Sequence, residues 1–308
     1  MQGAVIACPP WTVNASGATI GVVMFHRLWQ RDGNQPALRR SSDGSNAMSY
    51  FVTGATGFIG RYLVSNLLKR KGTIHVLVRA GSEKKFERIA EQMGWDRKRL
   101  VIVAGDLSKP KLGVPAAKIR ALAGKIDHFF HLAAIYDIAA DAESQRVANI
   151  DGTKHAIALA TALNAGCFHH TSSIAAAGLY TGVFREDMFD EAEGLDDPYL
   201  RTKHESEGLV RNDCRIPWRI YRPGMVVGHS KTGEIDKIDG PYYMFPLIKK
   251  MREMLPQWMP TLGIEGGRIN IVPVDFVADA MDHIAHKKGL DGHCFHLVDP
   301  EPQRVGEV

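Results

Sequence analysis

Residues 50-YFVTGATGFIG-60 carry the reading of the whole chain. Four mostly apolar, β-prone residues run into Gly54-Ala55-Thr56-Gly57-Phe58-Ile59-Gly60, and a helical pattern from Arg61 to Lys69 follows at once. The order is strand, tight turn, helix. Gly54 permits the turn, Gly57 leaves the backbone bare enough for a pyrophosphate to approach, and Gly60 lets the helix pack closely on the strand. The free N–H groups of the helix start then face the phosphates, with Thr53, Thr56, Phe58 and Ile59 in the same binding turn. Glycines at this spacing also occur at ordinary strand–turn–helix corners, so the strand before and the helix after them carry the argument.

The same alternation continues down the chain. A second strand, Thr73 to Val78, ends at Arg79. In a site for NAD, a carboxylate about 20 residues past the glycines would hold the ribose 2′-hydroxyl. Arg79 stands there instead, followed by Ser82, Lys84 and Lys85, and a guanidinium suits a 2′-phosphate. The cofactor expected is therefore NADPH. Further strands read 100-LVIVA-104, 126-IDHFFHL-132 and 167-CFHHTSS-173, with helical stretches between them. This predicts an α/β fold, a doubly wound parallel sheet of the Rossmann type. Ligands of such sheets bind beyond the carboxyl ends of the strands, where Asp106, Ala133 and Ser173 fall.

Composition narrows the class without deciding it. Hydrophobic residues make up 45% and charged residues 23%, ordinary for a globular protein, and the net charge of +4 does not by itself suggest nucleic acid. The four cysteines, Cys8, Cys167, Cys214 and Cys294, are scattered with no CxxC pair, which reads as reduced thiols in a cytoplasmic protein without a metal cluster. His283 and His286 lack a third ligand, so no metal is expected. No apolar run approaches the ~20 residues of a membrane span.

Residues 1–47 look foreign to the rest. They hold Pro9-Pro10, a short apolar patch (18-ATIGVVMF-25) with no basic residue before it, a sequon at Asn14-Ala15-Ser16 and a polar end. Met48 stands directly before the first strand, so 1–47 is expected to be a disordered or non-native extension, and 48–308 the domain itself.

The acidic run from Glu186 to Asp197 reads as a solvated loop whose last residue caps a helix beginning at Pro198. That helix carries Tyr199 and Lys203, which at i and i+4 share one face. A tyrosine of pKa near 10 is a poor acid–base catalyst at neutral pH, and an ammonium one turn away favours the phenolate. A Tyr-x-x-x-Lys pair alone is common in helices. With the glycine turn and a Ser173 at a strand end 26 residues upstream, it becomes specific.

At this point the chain resembles the extended short-chain dehydrogenase/reductase (SDR) family, whose TGxxGxxG, strand-five serine and YxxxK are met at Thr53–Gly60, Ser173 and Tyr199/Lys203. More narrowly, segments such as 131-HLAAIYDI-138, 169-HHTSSIAAAGL-179, 198-PYLRTKHESE-207, 219-RIYRPGMVVGHS-230 and 256-PQWMPTLGIEGGRINIVPVDFVADAMDHIAH-286 resemble the N-terminal reductase module of bacterial alcohol-forming fatty acyl-CoA reductases. That module is related to thioester-reductase domains (NAD-binding domain family 4). The resemblance implies that Tyr199 protonates the substrate oxygen as hydride arrives. Lys203 lowers the Tyr199 pKa and holds the nicotinamide ribose, and Ser173 binds the substrate carbonyl. Ser173 is preferred to Ser172 because it stands five residues before Gly178. The resemblance also implies that Asp106 and Leu107 border the adenine, Ala133 and Ala134 line the path to the nicotinamide, and Pro223 and Gly224 close over the cofactor's far end. Family chains continue past Val308 with a second reductase module, so a truncated C-terminus is expected.

The small C-terminal substrate region, about 231–270, contains 241-PYYMFPLIKKMREMLPQWMPTL-262. Its apolar, Met-rich wall suits a long acyl chain, and Lys249, Lys250 and Arg252 suit the phosphates of CoA or an acyl carrier protein. A buried amphipathic helix with a basic solvated face accounts for the same residues. The function expected is NADPH-dependent reduction of a fatty aldehyde or fatty acyl thioester, in lipid metabolism. The alternatives are an extended SDR dehydrogenase or epimerase acting on a sugar nucleotide or sterol, and a non-catalytic NADP-binding sensor.

Overall fold

The computed structural model describes residues 47–134, 141–235, 250 and 268–304. Seven parallel strands form one sheet in the order β10-β6-β5-β4-β1-β2-β3. They are β1 (Met48–Thr53), β2 (Gly72–Val78), β3 (Leu100–Ala104), β4 (His128–His131), β5 (Cys167–Thr171), β6 (Trp218–Pro223) and β10 (His293–Leu297). The order reverses direction between β1 and β4, and this is where a doubly wound sheet opens a crevice for a dinucleotide.

Successive side chains leave a strand on opposite faces, and both faces here are apolar, as a sheet covered on both sides requires. Tyr50, Val52, Ile74, Val76, Phe130 and Tyr221 pack under helices α1 (Phe58–Lys69), α2 (Glu83–Gln92) and α7 (Val274–Ala285). Phe51, Val103, Phe129, Phe168 and Ile220 face α3 (Ala116–Leu122), α5 (Gly152–Ala162) and α6 (Pro198–Asp213). Nine residues of α7 are buried, so this helix serves packing. Two small sheets, β7 (Met225–Val227) with β9 (Ile271–Pro273) and β8 (Arg268–Ile269) with β11 (Gln303–Arg304), lie beyond the main sheet.

Several boundaries move. Helix α1 starts at Phe58, so Gly60 lies in its first turn. Strand β5 ends at Thr171, which leaves Ser172 and Ser173 on the turn beyond it. Between α4 (Ala142–Gln145) and α5 the chain winds as a π-helix over Arg146–Asp151, a widening that sequence periodicity does not report and that recurs at functional sites. The acidic loop is only partly solvated. Met188 is buried in it, with Phe184 buried just before it, and the Glu186 carboxylate accepts the His296 amide at 2.7 Å, tying the loop to β10. Most of the expected substrate region, including 241–249 and 251–262, lies outside the described residues, as do residues 1–46.

Candidate active site

The glycine turn is built as its spacing requires. Gly54 has φ +75°, and the Gly57 amide donates to the Gly54 carbonyl at 2.9 Å to close the turn. A Cβ on Gly60 would lie 2.1 Å from the Gly54 carbonyl oxygen, so the close approach is of helix to turn, and only glycine fits. Gly57 is exposed, and a Cβ there would meet nothing nearer than that same oxygen at 3.1 Å. It N-caps α1 with no side-chain hydrogen bond, and no acidic residue stands in the first turn. The orphan amides and positive end of the helix therefore point out over a bare backbone, which fits a pyrophosphate.

Thr53 is fully buried and works inward. Its hydroxyl meets His131 Nδ1 at 2.8 Å and accepts the Ala133 amide at 3.3 Å, which fastens the ends of β1 and β4 together. A chain of polar contacts continues from there. His131 Nε2 meets the Thr153 hydroxyl at 3.3 Å, and Thr153 donates to the Asn149 carbonyl at 2.6 Å. The Asn149 amide donates to the Thr202 hydroxyl at 3.3 Å, and Thr202 donates to the Tyr199 carbonyl at 3.2 Å. Because Thr153 spends its one proton on Asn149, His131 carries its proton on Nε2 and accepts from Thr53 at Nδ1. Burial pushes the pKa of His131 down to about 3, so this bridge is neutral. The glycine turn and the Tyr199 helix are thus joined by one internal network through the π-helix. Asn149 was visible in the sequence only as one helical residue among many; its site on the π-turn marks it here.

Helix α6 begins as expected. Asp197 caps it, accepting the amides of Tyr199 at 2.8 Å and Leu200 at 3.1 Å, with Pro198 at the first position. The helix packs on the turn Ile174–Ala177, where His204 Nδ1 lies 3.0 Å from the Ala176 carbonyl. Ser173 N-caps that turn, its hydroxyl accepting the Ala175 amide at 3.2 Å, and remains partly accessible. Ser172 is 2% exposed and donates to Glu207 at 2.7 Å. Of the two serines, Ser173 is the one with accessible surface. Tyr199 is half-buried, and Lys203 is 6% exposed. Burial pushes the Lys203 pKa down to about 8, and no carboxylate offsets it.

Below the serines lies a buried ionic cluster that no spacing rule pointed to. Glu207 accepts from Arg222 at 2.6 and 3.0 Å, from Arg211 at 2.8 Å and from Ser172. Arg222 also donates to the Met188 carbonyl at 2.9 Å. The available signal was Glu207 at i+4 from Lys203 on the same helix face.

The remaining expected cofactor residues lie along the same edge of the sheet. Arg79 is exposed at the end of β2, beside Lys84 and Lys85 at the exposed start of α2. Asp106, past the end of β3, accepts the Ser108 amide and hydroxyl at 3.0 and 2.8 Å, and these bonds hold its carboxyl below the usual range. The Leu107 carbonyl meets His155 Nδ1 at 2.8 Å. Ala133 and Ala134 are half-buried past β4. Pro223 ends β6, and a Cβ on Gly224 would press on Asn270 at 2.8 Å. Cys167, Cys214 and Cys294 are free thiols, all buried. Among the described residues no helix is long and apolar enough to cross a membrane.

Comparison with known proteins gives this geometry its relatives. A family model for an NAD-binding family, described as male sterility protein, matches residues 52–281. The non-canonical nonribosomal peptide synthetase hkm10 of Aspergillus hancockii is 30% identical, over 96% of this chain and 31% of its own length. The aldehyde reductase lnbA of Aspergillus flavus is 30% identical over 81% of this chain and 26% of its own. The chain thus spans about a third or less of these relatives. Among solved structures, the terminal R domain from the myxalamid PKS-NRPS biosynthetic pathway superposes with a TM-score of 0.72 at 29% identity, covering 86% of this chain and 69% of that one.

Proposed function

The chain belongs to this family, the extended, thioester-reductase-like branch of the SDR reductases; from that premise we propose that it uses NADPH to reduce an acyl thioester held on CoA or a carrier protein, or the aldehyde derived from it. The observation that carries the reading is the placement of Tyr199 and Lys203 on a helix pinned to the Ser173 turn, at the strand ends next to the glycine turn.

The roles follow from the chemistry. Gly54, Thr56, Gly57, Phe58, Ile59 and Gly60 take the pyrophosphate on bare backbone and helix N-terminus, with Thr53 fixing the turn from behind. Arg79 takes the 2′-phosphate, Asp106 and Leu107 flank the adenine, Ala133 and Ala134 line the way to the nicotinamide, and Pro223 and Gly224 bound its far side. NADPH, when bound, supplies the hydride. Ser173 donates to the substrate carbonyl oxygen and orients it. Tyr199 hands its proton to that oxygen as charge develops there, and the Lys203 ammonium favours the phenolate left behind. Lys203 also holds the nicotinamide ribose.

Carrier-bound substrates are supported by relatives whose names are those of peptide synthetases and of a thiolation-reductase di-domain. An acyl chain of fatty type is supported by the Met-rich segment 241–262. The test is NADPH consumption by the purified chain offered a long-chain aldehyde, its acyl-CoA and the same acyl group on a carrier protein. Turnover of the thioester places the first reduction here, and turnover of the aldehyde alone confines the chain to the second. Tyr199→Phe should abolish either while NADPH still binds. Unchanged turnover in that variant would refute the assignment.

A further inference from the structure

His170 is a buried residue of the site with both ring nitrogens unmet among the described residues. It is 3% exposed, on β5, and neither ring nitrogen has a partner. Its neighbours in the fold are well defined. His170 pairs across the sheet with His131, the two rings stacked at 5.8 Å between centroids. Both nitrogens of His131 are engaged by Thr53 and Thr153. On the same face of β5, Phe168 lies in one apolar cluster with Val210 of α6, and Ser172 bonds Glu207 of α6. His170 lies between Phe168 and Ser172, so it faces α6, whose buried polar residues are Thr202, Lys203, Ser206 and Glu207; the Thr202 hydroxyl already accepts from Asn149 and donates to the Tyr199 carbonyl. Glu207 is saturated by Arg222, Arg211 and Ser172, and the Ser206 hydroxyl donates to the Lys203 carbonyl.

We propose that His170 is a positioning residue for Lys203: one ring nitrogen accepts a hydrogen bond from a buried water that in turn accepts from the Lys203 ammonium, and this anchors the ammonium from the side opposite the cofactor. Two physical requirements meet in this arrangement. A buried imidazole needs a partner for its acceptor nitrogen, and a buried ammonium with three donors needs acceptors. Burial first, and then the nearby Lys203 charge, hold His170 neutral, as an acceptor must be. The titratable and charged groups around the pair are His131 from β4, Lys203 and Glu207 from α6, and Arg222 from β6; α5 and the π-helix present Thr153 and Asn149. His170 therefore orients and supports the charged form of Lys203 and supplies no proton itself. The catalytic consequence rests on the proposed function; the contact does not.

The test reads Lys203 directly, in the cofactor-free chain. Protein labelled with 13C at the lysine ε-carbon is titrated by NMR, with Lys203→Arg identifying the signal. Removing an acceptor from an ammonium should move the Lys203 midpoint down by about one pH unit in His170→Phe, and His170→Gln, which restores an acceptor, should recover most of it. In parallel, the ring 15N shifts of His170 are recorded in the unmodified chain and in Lys203→Met, which needs no substitution at His170. An accepting nitrogen that loses its donor there supports the proposal. An unmoved Lys203 midpoint in a folded His170→Phe, or ring shifts indifferent to Lys203→Met, overturns it. In the reductase assay His170→Phe should lower kcat about tenfold with little change in KM. A wild-type chain silent on every substrate would refute the proposed function, while the NMR titrations would still decide the Lys203 contact.

Discussion

Replacing Glu207 by Gln tests how the floor of the site is held. The Glu207 and Arg222 side chains are both 0% exposed, and the carboxylate receives four donors, two from Arg222 and one each from Arg211 and Ser172. Burial acts to raise its pKa, but the Arg222 bonds and charge, with Arg211 and Ser172, hold it below the ordinary value. The carboxylate is thus ionised at neutral pH, and its contribution to stability is lost as pH falls through that lowered pKa. An isosteric amide removes the charge and turns an N–H2 group towards guanidinium donors. Arg211 can swing outward, being 19% exposed, but Arg222 cannot. Breaking one partner of such a buried pair costs about 3–5 kcal/mol. At about 2–4 °C per kcal/mol for a domain of this size, the melting temperature should fall by roughly 6–20 °C. Urea unfolding followed by circular dichroism gives the free energy. The double variant Glu207→Leu with Arg222→Met should be markedly more stable than the single one, because the fully buried Arg222 charge is removed with its partner and the Arg211 charge can turn to solvent. A loss under about 1 kcal/mol in Glu207→Gln, or a double variant worse than the single, would refute the reasoning.

Three further outcomes are expected. Gly60→Ala should weaken NADPH binding at least about tenfold by fluorescence titration, since its Cβ would sit 2.1 Å from the Gly54 oxygen and must push helix and turn apart. Arg79→Glu should reverse the proposed preference for NADPH over NADH in binding, with affinity for NADH kept. Stability should decline in mild acid through the buried histidines. Burial lowers His128 and His131 to about 3 and His169 well below its usual value, so these rings stay neutral in the fold while their unfolded counterparts take up protons below pH 6.5. Their contribution is whole above 6.5 and is lost between there and about 3, at a slope of up to about 1.4 kcal/mol per pH unit for each ring. A urea midpoint that stays constant from pH 7 to 5 would contradict this.

What the sequence determined by itself was everything carried by local pattern. Gly54, Gly57 and Gly60 announce the turn because only glycine satisfies a positive φ, an open backbone and a 2.1 Å approach in one short stretch. Alternating apolar strands and helices yield the doubly wound sheet, and Asp197-Pro198 marks the start of the Tyr199 helix. Tertiary structure decided what depends on residues distant in sequence. The choice of Ser173 over Ser172 has a physical cause only once Ser172 is seen bonded to Glu207, 35 positions on. Thr53 belongs to the glycine motif, yet its hydroxyl turns inward to His131, 78 positions away. The π-helix at Asn149, the Arg222–Glu207 pair and the unmet nitrogens of His170 leave no periodic trace, because periodicity records which face of an element is buried and says nothing of which polar group it meets there.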